Sequence, residues 1–165
     1  MYINGVQICP IVENCVKSLG SDVVLPNKER NYAIFNETRV NEILKQAPHA
    51  LPVVDEFLKV TQDERAITEG LYVIDRMIDA KIEGTDQLYP TLSRFNNTNS
   101  PNIQVMLAGI YRKTLVPDGF GPLSAMFLKQ TFYPNSPYFD PKEEIGGALL
   151  EYLRSKGAQS AYQKV

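Results

Sequence analysis

Histidine is almost absent from this sequence, and with it goes the commonest general base. Among 165 residues there is one, His49, in the connector Pro48-His49-Ala50. A histidine base needs a partner side chain to orient it, and the sequence offers no companion set. It contains no Gly-x-Ser-x-Gly elbow, no Walker loop and no His-Glu-x-x-His. His49 therefore reads as an exposed loop residue, and no catalytic residue is assigned. Cysteine is scarce as well. Cys9 and Cys15 lie six apart, which fits no common zinc or redox spacing. If Pro10 opens a helix, Cys15 falls inside it as a small buried apolar residue. No metal and no cofactor is expected.

Long apolar runs are missing too. None approaches the roughly 18 residues that a membrane span requires. The opening MYINGVQICP has no basic stretch ahead of an apolar one, so no signal peptide is expected and the expected location is cytoplasmic. The sequons at Asn36 and Asn96 are idle without secretion. Charge of one sign is also lacking. With 17 Lys and Arg against 19 Asp and Glu, the net charge of −2 gives no reason to expect nucleic acid or an anionic membrane as partner.

What is present is an ordinary globular mix, 44% hydrophobic and 22% charged, long enough for one domain with a core of its own. Near the N-terminus, Asn4-Gly5 has the character of a tight turn, but its flanks are short for a hairpin. Pro10 to Leu19 predicts a helix whose Ile11, Val12, Cys15, Val16 and Leu19 share one face, with Gly20 as its stop. Pro26 favours an extended connector before it. Residues 27–35 are ambiguous. Asn36 is placed to cap a helix over 37–47 with the stripe Val40, Ile43, Leu44 and Ala47, ended by Pro48.

From Leu51 onward one unit recurs: a short helix opened by proline, a polar turn, then a longer helix. Pro52, Pro90 and Pro122 correspond, as do Phe57, Phe95 and Phe127. In the longer helices Ile67, Ile103 and Ile145 correspond, then Leu71, Leu107 and Leu149, then Arg76, Arg112 and Arg154. The isoleucine offsets are 103 − 67 = 36 and 145 − 103 = 42 residues, a period typical of stacked helical pairs. Such pairs bury their apolar faces only against neighbours. Gly84, Pro117-Asp118-Gly119 and Gly157 punctuate the ends of the longer helices.

These residues resemble the HEAT family of α-solenoid repeats, with the armadillo type as a neighbour. The likeness rests on Leu51-Pro52-Val53-Val54 with Phe57-Leu58, on Tyr89-Pro90-Thr91-Leu92 with Phe95, and on the turns Ser100-Pro101-Asn102-Ile103-Gln104 and Asp140-Pro141. It covers about residues 50–156. The family's turn arginine is replaced by Gln104, the first unit has no proline in its turn, and the third carries an insertion at 131–139. The resemblance implies an all-α fold: a short right-handed α-solenoid of about three helical pairs with an N-terminal helical cap. Residues 1–38 form the cap or extension, 39–157 the repeat domain and 158–165 a polar tail. It also implies a non-catalytic scaffold that binds a partner protein through a face lined by the second helices. The alternative is an enzyme or accessory subunit with a small-molecule pocket in that groove.

Two features are candidates for the partner surface. Arg76, Arg112 and Arg154 recur late in the longer helices, and in register they make a basic ridge of planar donor forks. Arginine in a last turn also complements the helix dipole without any partner. The second is the aromatic insertion Phe132, Tyr133, Tyr138 and Phe139, which suits either a binding loop or a cap on the end of the stack. Asp55-Glu56 and Asp63-Glu64 read as helix-edge acids.

Overall fold

The computed structural model describes residues 2–3, 6–7, 9–129 and 141–155. It is all-helical apart from short extended pieces. Two two-residue strands, β1 (Tyr2–Ile3) and β2 (Val6–Gln7), pair antiparallel, Tyr2 opposite Gln7 and Ile3 opposite Val6. The flanks of Asn4-Gly5 thus do pair. Residues 27–35, ambiguous in sequence, form an extended excursion closed by bridges Val24–Ile34 and Asn27–Arg30.

Helix α1 (Val12–Lys17) is shorter than the predicted 10–19. Val12, Cys15 and Val16 are buried on it, while Ile11, taken for part of the same face, stands exposed at the N-cap. Helix α2 (Glu37–Lys45) begins as expected: the Asn36 side chain accepts from the Arg39 N–H, satisfying one of the free donors of the first turn. Helices α3 (Ala50–Val60) and α4 (Glu64–Asp79) follow, the second capped by Asp63.

The next short helix is less regular than its predecessor. A 3₁₀ turn over Thr85–Leu88, a four-residue helix α5 (Tyr89–Leu92) and a second 3₁₀ turn over Ser93–Phe95 run in succession. Pro90 cannot donate to the preceding turn, which keeps the α-helical hydrogen-bond ladder short. Helix α6 (Pro101–Thr114) opens on Ser100, whose side chain accepts from the Ile103 N–H, with Pro101 in the first turn where a missing N–H costs nothing. Helices α7 (Phe120–Lys129) and α8 (Pro141–Arg154) complete the described chain. The insertion residues Phe132, Tyr133, Tyr138 and Phe139, Asp140 and Gly157 lie outside the described residues.

The longer helices pack in series: α2 on α4, α4 on α6 and α6 on α8; α1 packs on α3, α3 on the α5 segment, and α7 on α8. One core runs through them from Cys9 to Tyr152. Leu71 and Leu107 are fully buried at the seams between successive long helices; their counterpart Leu149 is only half-buried. No helix among the described residues is long and apolar enough to cross a membrane.

Helices α4 and α6 do not end on the glycines singled out for them above. After α4, Lys81 takes φ +55°. Its N–H donates to the Ile78 carbonyl at 3.0 Å and the Ile82 N–H to the Met77 carbonyl at 3.1 Å, a Schellman closure. Leu115, at φ +53°, closes α6. Gly84 and Gly119 come several residues later. A Cβ on Gly119 would lie 2.3 Å from the Tyr152 hydroxyl, so that glycine serves close packing.

Candidate functional site

An open groove of about 500 Å³ crosses the series of longer helices. Its first wall is α4, which contributes Thr68, Tyr72 and Asp75; the spacings of four and three put them on one helical face. The floor comes from Val105 and Met106 of α6. Glu143 and Glu144, in the first turn of α8, form the far end. The excursion before α2 closes the near side with Tyr32 and Phe35.

This near side is held firmly. The rings of Phe35 and Tyr72 stack with centroids 4.2 Å apart. The Tyr72 hydroxyl donates to Glu37 Oε1 at 2.6 Å, and Arg76 donates to Glu37 Oε2 at 2.8 Å and to Asn41 Oδ1 at 3.3 Å. Burial first, and then the Glu37 contact, push the Tyr72 phenol above its ordinary range. Tyr72 is therefore a neutral donor at any physiological pH.

The excursion itself is anchored by a charge cluster that sequence reasoning missed. Glu69, on α4, is fully buried and Arg39, on α2, nearly so. Glu69 Oε1 accepts from Arg39 and from the Gly20 N–H (2.9 Å), and Oε2 accepts from the Asn36 N–H at 3.0 Å. Arg39 also bridges to Asp22. Burial raises the Asp22 carboxyl, but hydrogen bonds from Asn36 and Arg39 and the arginine charge outweigh that and hold it below its usual range. Gly20 is required here: it sits at φ +89°, and a Cβ would lie 2.4 Å from the Ala66 nitrogen. One buried carboxylate thus ties both ends of residues 20–39 to α4. The sequence did carry a signal, a glutamate within the apolar run Ile67-Thr68-Glu69-Gly70-Leu71.

The predicted arginines do different things. Arg76 pairs back onto α2 through Glu37. Arg112 and Arg154 converge on Glu151, at 4.0 and 3.5 Å. Arg112 crosses α8 over Gly147, where a Cβ would come within 3.3 Å of its guanidinium. It also borders a second open cavity of about 620 Å³, with Phe127, Gly146, Leu149, Leu150 and Leu153. Lys142 lies 5.1 Å from the centre of the Phe127 ring there.

Groups with ordinary chemical potential are placed elsewhere. His49 is exposed at the start of α3 and makes no side-chain cap. Burial pushes the Cys15 thiol up to about 12, and it donates to the Cys9 carbonyl, so it stays a protonated packing group near neutral pH. Among the described residues no group of three or more His, Cys, Asp and Glu is placed to hold a metal ion. No protein-family model, no curated protein and no solved structure matches this chain.

Proposed function

We propose that the chain is a non-catalytic protein-interaction module. Its helices form a short right-handed α-solenoid of HEAT-like pairs, and the groove across α4, α6 and α8 receives a segment of a partner protein. The observation that carries this reading is the groove itself: a preorganised, aromatic-walled channel that crosses three successive long helices. Tyrosine and phenylalanine offer large contact area with few rotatable bonds. The stack of Phe35 on Tyr72 and the Glu37–Arg76 clamp fix that wall before any partner arrives, which lowers the ordering cost of binding. Tyr32 and Ile34 leave 62% and 43% of their surface exposed at or beside the groove, apolar area open to a partner. Arg112 and Arg154 are a secondary contact in this proposal.

The test is site-specific photocrosslinking in the native host. p-Benzoylphenylalanine replaces Tyr32 at the groove and, as control, Glu56 on the exposed side of α3. A discrete protein adduct from position 32 and none from position 56 is the expected result. No adduct at 32, or equal adducts at both, overturns the reading.

A further inference from the structure

We infer that the groove takes a basic, arginine-bearing segment of its partner, an inference that rests on the interaction reading above. The lining is mostly aromatic and apolar, yet it includes three carboxylates, Asp75, Glu143 and Glu144, and no lysine or arginine. Of the nearby cations, Arg30 lies over the Tyr32 ring and Arg112 and Lys142 line the second cavity with Glu143 and Glu144, while two others are held by carboxylates. Lys113 lies 2.8 Å from both Asp75 and Asp79, so one positive charge faces two negative ones. Arg76 is held by Glu37. Glu143 and Glu144 are exposed and make no ion pair among the described residues. Complementing the helix dipole accounts for two acids in a first turn. It does not account for their lining the same cavity as Tyr32, Phe35 and Tyr72.

Carboxylates over aromatic and thioether surface suit arginine in particular. Its planar fork pairs with a carboxylate, its guanidinium lies over an aromatic ring, and its stem covers apolar surface such as Met106. The chain already uses this chemistry beside the groove: Arg30 lies 5.6 Å from the Tyr32 ring centre and Arg76 5.9 Å from that of Tyr72. A volume of about 500 Å³ is that of a cleft for a few side chains and not for a domain. The same negative lining repels nucleic acid and anionic lipid.

The test titrates the full-length, ¹⁵N-labelled protein with two short fluorescent peptides, one alternating Arg and Leu, the other Glu and Leu. Expected is binding of the Arg–Leu peptide, weakened by salt, with amide shifts at Tyr72, Val105, Met106 and Glu144. The exposed double variant Glu143→Lys/Glu144→Lys is expected to melt slightly lower, because it reverses two charges that complement the α8 dipole, to stay folded at the temperature of the titration, and to bind about tenfold more weakly, as two lost charge contacts replaced by repulsions imply. Equal binding of the Glu–Leu peptide, shifts away from the groove, an unchanged affinity in the double variant, or no binding of either peptide overturns the inference. The crosslinking above separates the two proposals: an adduct at position 32 to a neutral or acidic segment overturns the charge assignment and leaves the interaction reading standing.

Discussion

Replacing Glu69 with glutamine tests the anchor that holds the aromatic wall in place. The substitution keeps the shape and removes the charge. Arg39, 5% exposed, then has no anionic partner on α4. The glutamine amide also places two donors where the carboxylate accepted from three: Arg39, the Gly20 N–H and the Asn36 N–H. One of those donors must lose its acceptor. Breaking a buried ion pair by removing one partner costs about 3–5 kcal/mol. Asp22 still reaches Arg39, so the loss should fall at the lower end, about 3 kcal/mol. The assay is urea denaturation, read as a lowered midpoint at constant slope, with amide exchange as the local readout. Exchange should accelerate at Gly20 and Asn36 before it does at Leu71. The double variant Arg39→Met/Glu69→Met adds a sharper arm. It removes both charges but leaves the Gly20 and Asn36 N–H groups unpaired at about 1–3 kcal/mol each, so it should be no more stable than Glu69→Gln; stability near that of the parent would show that those two hydrogen bonds do not hold the excursion. A loss under about 1 kcal/mol for Glu69→Gln, in the range of ordinary surface changes, would refute the anchor.

Three further outcomes follow from the packing and the caps. Leu71→Ala and Leu107→Ala should each cost about 2–5 kcal/mol in the same denaturation assay, as fully buried leucines do; a loss below about 1 kcal/mol at both would mean that the seams are misplaced. Lys81→Gly should stabilise the protein by up to about 1 kcal/mol, because lysine sits in the left-handed region at an exposed Schellman position; a lowered melting temperature would contradict that geometry. Asp22 has a depressed pKa in the fold, so its contribution is present above the unfolded carboxylate value near 3.9 and is lost as pH falls through the lower folded value; Asp22→Asn should flatten the acid limb of a melting-temperature profile below about pH 4, and an unchanged limb would show that Arg39 does not depend on it.

The parts of this fold legible in the sequence are those set by local rules. Asn36 caps its helix as expected because a side-chain oxygen two or three residues ahead of a free N–H is a local geometry, and Asp63, expected only as a helix-edge acid, and Ser100, expected only in a turn, cap theirs by the same rule. Along α4, Ile67, Gly70, Leu71 and Ile74 are buried because helical period places them on one face, while Ile78 of the same stripe is half-buried. The places that escaped depend on partners far away in sequence. Lys81 and Leu115 adopt the left-handed conformation that glycine was expected to take, since the next element must turn there to pack and the core supplies the energy. Ile11 left the apolar face because the helix began two residues later, at Val12.

The candidate site shows the same division. Arg76, Arg112 and Arg154 recur at equivalent repeat positions, so sequence could find them, yet what each touches differs from unit to unit. Arg76 meets Glu37 of α2, and Arg112 meets Glu151 of α8. A repeat fixes where a side chain starts; the non-repeated neighbours decide where it ends. The groove is the stronger case. Its long-helix wall comes from α4 and α6, while Tyr32 and Phe35 come from a segment far away in sequence, joined to α4 by a carboxylate 33 positions from Asn36. No periodicity announces such a contact. If the groove binds as proposed, altering residues 32–35 should change the aromatic side of what is bound, as altering Glu143 and Glu144 should change its charge, and altering Leu71 or Leu107 should change only whether the protein folds.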